Sequence, residues 1–180
     1  MSLSHAILGL LKQEPMTGYD LKTQCFDTSI AHFWSADQSQ IYRTLEQMAE
    51  EGWVESDVEV QETRPNRKVY QITATGRKEL SAWLKTPQSI PAYREPLLVQ
   101  VFFADELSNE ELVAMFDAHL ARHRARLGDY LDVPLPPIGT QGMKRKETLE
   151  RLTLELGLRI QEAYISWLEL GRDVAAKLDD

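Results

Sequence analysis

The sequence predicts a mainly α protein in two parts: an N-terminal winged helix-turn-helix with a two-stranded β wing, then an all-helical C-terminal dimerisation domain. Three observations predict it. Ile41-Tyr42-Arg43-Thr44-Leu45 lies between a capping signal and Glu51-Gly52-Trp53, and its outer face is rich in hydrogen-bonding side chains. An alternating hairpin with a basic tip follows directly. Beyond Thr86-Pro87-Gln88-Ser89-Ile90-Pro91, a linker by composition, the chain is helical in pattern to its end. The first two features together are how a recognition helix is offered to the major groove and a wing to the DNA backbone.

The elements follow in order. Leu3, Ala6, Ile7, Leu10 and Leu11 fall at helical spacing, and Pro15 comes just after that segment. Thr17-Gly18-Tyr19-Asp20 places an N-cap three residues before an acid, opening a second helix with Leu21 and Cys25 inward. Ile30 to Trp34 is apolar without a clean period and reads as a packed connection. Ser35 and Gln38 form an S-x-x-Q capping box, so a third helix is expected from Ala36. Ile41, Leu45 and Met48 mark its buried side, Ser39, Gln40, Arg43, Glu46 and Gln47 its outer side, and Tyr42 the boundary. Gly52 stops it.

Val54, Val58 and Val60 then share one strand face against Glu55, Asp57 and Glu59 on the other. Thr63-Arg64-Pro65-Asn66 is the turn, and Lys68 to Thr73 returns as the second strand. Thr73 or Thr75 caps a fourth helix carrying Leu80, Trp83 and Leu84. The domains are thus expected at 1–86 and 92–180.

In the second part, Glu95 to Ala104 is strongly apolar, and Ser108-Asn109-Glu110-Glu111 is a capping box for a helix to about residue 131. After the Pro-rich 132–142 comes a helix from about Met143 to about Leu178, roughly 50 Å long at 1.5 Å per residue. Its apolar stripe is Leu149, Leu152, Leu156, Ile160, Ala163, Trp167, Leu170, Val174 and Leu178. No core of a domain this small is that long, so part of the stripe is expected to pack on a second copy of the chain.

Composition narrows the function. The 180 residues are 43% hydrophobic and 27% charged, an ordinary globular balance that does not suggest disorder. The N-terminal Met-Ser-Leu-Ser-His has no basic region or long apolar run, so no signal peptide or membrane span is expected. The single cysteine, Cys25, fits a reducing cytoplasm, and with no basic neighbour it reads as a packing residue. The net charge is −8, and residues 1–80 hold eight Lys/Arg against twelve Asp/Glu. Phosphate affinity depends on local placement, and Arg64, Arg67 and Lys68 fall within five residues. Phosphate loops, nucleophile elbows, zincin motifs and Cys/His clusters are lacking, so an enzyme and a bound cofactor are not expected.

Several runs together resemble the PadR-like transcriptional regulators. They are Ile7-Leu8-Gly9-Leu10-Leu11, Pro15-Met16-Thr17-Gly18-Tyr19-Asp20-Leu21, Phe33-Trp34, Gln40-Ile41-Tyr42-Arg43-Thr44-Leu45, Gly52-Trp53 and Tyr70-Gln71-Ile72-Thr73-Ala74-Thr75-Gly76. Residues 92–178 resemble the helical extension of the larger members, related to virulence gene activators. The resemblance implies a homodimeric, cytoplasmic regulator, usually a repressor, on a palindromic double-stranded operator. Members with this extension include repressors released by phenolic acids, so a small-molecule effector is an expectation.

The N-terminal end of the third helix should enter the groove, which places Gln38, Ser39, Gln40 and Arg43 at base edges. Glutamine suits adenine and arginine suits guanine. The alternative is local: Gln38 closing the capping box and Arg43 pairing with Glu46 or Gln47. Tyr19 and Tyr42 can donate to phosphate, or Tyr42 can be packing alone. Arg64, Arg67 and Lys68 should grip phosphate, or else pair with Glu62 or Asp57 in a solvated turn. His119 and His123 have i, i+4 metal-ligand spacing but no third ligand, so packing is the expectation and a metal is not. The competing function is a winged-helix interaction module that has lost DNA affinity; a ligand carrier without an operator comes after it.

Overall fold

The computed structural model describes residues 2–59 and 67–178. The chain forms two compact units, Met1–Ile90 and Pro91–Asp180. The turn 63–66, Val60 and Arg64 lie outside the described residues.

In the first unit the order is α1 (Ser2–Leu11), β1 (Met16–Thr17), α2 (Gly18–Asp20, continuing as Leu21–Ser29), α3 (Gln38–Glu50), β2 (Val54–Glu59), β3 (Arg67–Ile72) and α4 (Ala74–Trp83). The core joins Ile7, Leu8 and Leu11 of α1, Leu21 and Phe26 of α2, Ile41, Leu45 and Met48 of α3, and Tyr70, Ile72 and Leu80. The four-then-three spacing in α3 therefore marks its buried side, as expected. Val54 is buried, but Val58 on the same strand face is 59% exposed because the hairpin runs out beyond the core.

Three local features differ from the sequence expectation. The sheet has three strands, in the order β1-β3-β2, because Met16 and Thr17 pair antiparallel with Tyr70 and Val69. The second helix is wound as a π-helix over Leu21–Ser29. The hydroxyls of Thr23 and Thr28 donate to the carbonyls of Tyr19 and Gln24, four residues back, which competes with ordinary α-helical pairing. Finally, α3 is capped by Asp37, not Ser35, and starts at Gln38 instead of Ala36. The Asp37 carboxylate accepts the Gln40 N–H at 2.7 Å, and the Gln40 side-chain oxygen accepts the Asp37 N–H at 3.0 Å. Ala36 is buried in the core, and the cap falls two residues further along than Ser35.

Thr73 caps α4 by accepting the Gly76 N–H, and its own hydroxyl donates to the Gly52 carbonyl. His5 of α1 is buried, stacks on Trp83 with ring centroids 4.5 Å apart, and meets Glu79 at 3.2 Å. These contacts fasten α4 across the base of the unit.

The second unit holds α5 (Pro96–Phe102), a 3-10 turn at Ala104–Glu106, α6 (Asn109–Leu131) and α7 (Arg145–Ala175). Ser108 and Glu111 form the expected capping box. Helices α6 and α7 run antiparallel: Asp117 bonds Arg172, His123 bonds Gln161, and Tyr130 lies against Gly157. The face of α7 against α6 is Leu154, Leu158, Gln161, Leu168 and Ala175. Gly171 makes room for Phe116, since a Cβ there would stand 2.5 Å from the ring. Most of the stripe read from the sequence forms a second apolar row, exposed in the protomer at Leu149, Leu152, Leu156, Ile160, Leu170 and Val174. A three-and-four spacing marks an apolar row without saying which neighbour covers it.

Around the start of α5, the Glu95 carboxylate accepts the Leu97 N–H and, at 2.7 Å, the Tyr164 hydroxyl. Tyr93 bonds the same hydroxyl. His123 stacks on Tyr164 and bonds Gln161, so it is engaged by a polar cluster. Among the described residues no group of three His, Cys, Asp or Glu is spaced to hold a metal ion.

Candidate nucleic-acid interface

The residues at the N-terminal end of α3 all reach the surface: Gln38, Ser39, Gln40, Tyr42 and Arg43 are exposed. Gln38 and Ser39 occupy the first helical positions, where backbone N–H groups lack intrahelical partners and favour an anion such as phosphate. Arg43 makes no ion pair among the described residues, and Gln47 instead donates to Glu51. Gln40 uses its oxygen in the capping box, which fixes the side chain and leaves its amide N–H groups as the donors it can offer. Beside it runs a groove of about 250 Å³ lined by Leu3, Trp34, Ser35, Gln40, Arg43 and Thr44.

Tyr19, at the start of α2, is 59% exposed. Tyr42 is 36% exposed and its ring covers Gly18, where an added Cβ would come within 2.6 Å of the ring. Packing and exposure therefore coexist at Tyr42. The glycine of the Thr-Gly-Tyr run is there because this ring is.

At the wing, Lys68 is exposed with its Nζ 5.1 Å from the centroid of the Tyr70 ring. Arg67 makes no ion pair with Asp57, and Glu62 lies outside the described residues. Its Nη2 donates to Asp20 Oδ2 at 2.7 Å. Asp20 was legible only as a helix cap, because its partner lies 47 residues away. The Asp20 carboxylate also accepts the Thr17 hydroxyl at 2.8 Å, the Thr17 N–H, and Gln24 Nε2. Burial acts to raise this carboxyl, but the Thr17 hydrogen bonds and the Arg67 charge outweigh it and hold it below the usual carboxylate range. Cys25 is buried beside Met16, and burial, with Glu14 and Asp20 nearby, pushes its thiol up. That is the opposite of a reactive thiolate.

A three-helix core, a β wing and an exposed polar helix end define a winged helix-turn-helix regulator with a helical second unit. Residues 7–82 match the transcriptional regulator PadR-like family, and residues 93–174 match the virulence activator alpha C-terminal family. The chain is 31% identical over 171 residues to the negative transcriptional regulator PadR of Bacillus subtilis, covering 93% of each. It therefore belongs to the PadR-like family of transcriptional regulators. The crystal structure of Bacillus subtilis PadR in complex with operator DNA aligns with a TM-score of 0.85 at 30% identity, covering 97% of this chain and 99% of that one. That of the same protein in complex with p-coumaric acid aligns at 0.80 and 29% identity, covering 98% and 100%. No described helix is long and apolar enough to cross a membrane.

Proposed function

We propose that this protein is an effector-responsive transcriptional repressor that binds a palindromic operator as a homodimer in the cytoplasm and has no catalytic activity. The observation that carries it is the exposed polar end of α3, with Gln38, Ser39, Gln40 and Arg43 outward, in a chain similar over nearly its whole length to a repressor solved on operator DNA. In this reading residues 1–86 bind DNA and 92–180 dimerise and receive the effector. Arg43 and Gln40 read bases, while Tyr19, Tyr42, Arg64, Arg67 and Lys68 hold the backbone. The exposed row of α7 supports dimerisation, since an apolar face of that length needs a cover.

An effector would sit in the groove of about 560 Å³ lined by Pro96, Leu97, Gln100, Met115, His119 and Arg122. Its apolar wall and the Arg122 guanidinium suit a small aromatic acid, the class to which the ligand of the similar repressor belongs. Two half-sites about 34 Å apart are read together only at fixed spacing, so a ligand favouring another spacing releases one.

Fluorescence anisotropy against a duplex from upstream of its own gene, over a salt series, tests the reading. Tight binding that exceeds binding to scrambled DNA and weakens with salt is the expected result. Absence of salt-dependent binding to any duplex would favour an interaction module, the reading that the acidic balance of residues 1–80 supports.

A further inference from the structure

We propose that Asp20 is a positioning residue for DNA binding: it holds the Arg67 guanidinium in the orientation that meets a backbone phosphate, in register with the recognition helix. The proposal rests on the DNA-binding reading above.

Arg67 commits one end of its fork, Nη2, to Asp20 and its side chain remains 46% exposed, which leaves the other N–H groups of the guanidinium as donors for a phosphate. Asp20 is itself held by several hydrogen bonds. It is 19% exposed, it accepts from Thr17 and Gln24, and its own N–H donates to Thr17 Oγ1 at 3.0 Å. Thr17 in turn lies in β1, paired with Val69 two residues along the strand that begins at Arg67. The strand and the side chain of Arg67 are thus tied to the same short segment. Tyr42 of α3 rests on Gly18 of that segment as well. Thr17 to Asp20 is therefore a common reference for the recognition helix and the root of the wing.

Electrostatics alone predicts the opposite role. A carboxylate near DNA repels phosphate, so removing it should tighten binding. Positioning predicts that removing it weakens binding. The sign separates the two.

The experiment uses the full chain as wild type, Asp20→Asn, Arg67→Ala, Arg67→Lys and the Asp20→Asn/Arg67→Ala pair. Affinity is read by anisotropy on one duplex, with melting temperature as the folding control. Expected is a loss of about 3- to 10-fold in Asp20→Asn, with the double variant no weaker than Arg67→Ala. Arg67→Lys should lose as much as Arg67→Ala, because lysine keeps the charge and lacks the fork. That variant decides the matter if Asp20→Asn does not fold. Unchanged or tighter binding by a folded Asp20→Asn, additive losses, or full rescue by lysine would overturn the proposal. In the free protein, the Arg67 Nε–H resonance should report an ordered side chain in wild type and a mobile one in Asp20→Asn. Equal mobility in both overturns the anchoring, whereas failure of the wild type to bind any duplex overturns the DNA reading itself.

Discussion

The ring of Tyr42 lies on Gly18, so close that any side chain at position 18 must displace it. The ring is partly exposed and can swing outward, so the strain is relieved at the surface and not in the core. Gly18→Ala should therefore cost less than about 1 kcal/mol of stability yet weaken operator binding clearly. Thermal melting and anisotropy on the same sample check this; equal losses in both would make Gly18 an ordinary folding residue.

Gly76 gives the contrasting case. An added Cβ would stand 2.1 Å from the Trp53 carbonyl oxygen, and both groups are backbone-bound. Nothing flexible yields, so Gly76→Ala should cost about 2–4 kcal/mol, read from the urea midpoint.

Arg43→Ala should lower discrimination between the operator and a single-base variant by about 1–3 kcal/mol. Lys68→Ala should instead weaken every duplex alike and reduce the salt slope by about one. A titration of both variants against matched duplexes distinguishes base reading from phosphate contact.

Leu156 and Ile160 lie on the row of α7 that the protomer leaves uncovered. Leu156→Glu with Ile160→Glu should yield monomers that retain their helical circular dichroism. Sedimentation equilibrium reads the outcome, and a dimer that survives both charges would place the interface elsewhere.

His119 is held below its ordinary value, first by burial and then by the charges of Arg122 and His123, with Glu95 acting the other way. The unfolded chain then takes up the proton first as pH falls. The stability of the neutral form is complete above the unfolded value of about 6.5 and is lost as pH drops through the interval to the folded value. Urea unfolding of His119→Gln should show a flatter dependence on pH below about 6.5 than wild type.

Short-range patterns were readable from residues alone. Ile41, Leu45 and Met48 fall in the core at their helical spacing, and the Thr17–Asp20 and Ser108–Glu111 boxes are in place because each closes over three residues. The cap of α3 is ambiguous in the sequence because Ser35-x-x-Gln38 and Asp37-x-x-Gln40 overlap, and the fold, which buries Ala36, uses the second. A two-residue strand such as Met16–Thr17 carries no alternation to detect. The Arg67–Asp20 pair was hidden for another reason: the fold brings together residues far apart in the chain, and no local pattern records it.

The strand order leaves β2 on the outside of the sheet, with Glu55 and Asp57 exposed along it. An open strand edge invites another strand to add to it, and charged side chains are a common guard against that. A second wing approaching β2 edge to edge would set its carboxylates against an identical acidic row. The acidity that makes this half of the chain an unusual partner for DNA thus works, by like-charge repulsion, against two copies joining sheet to sheet.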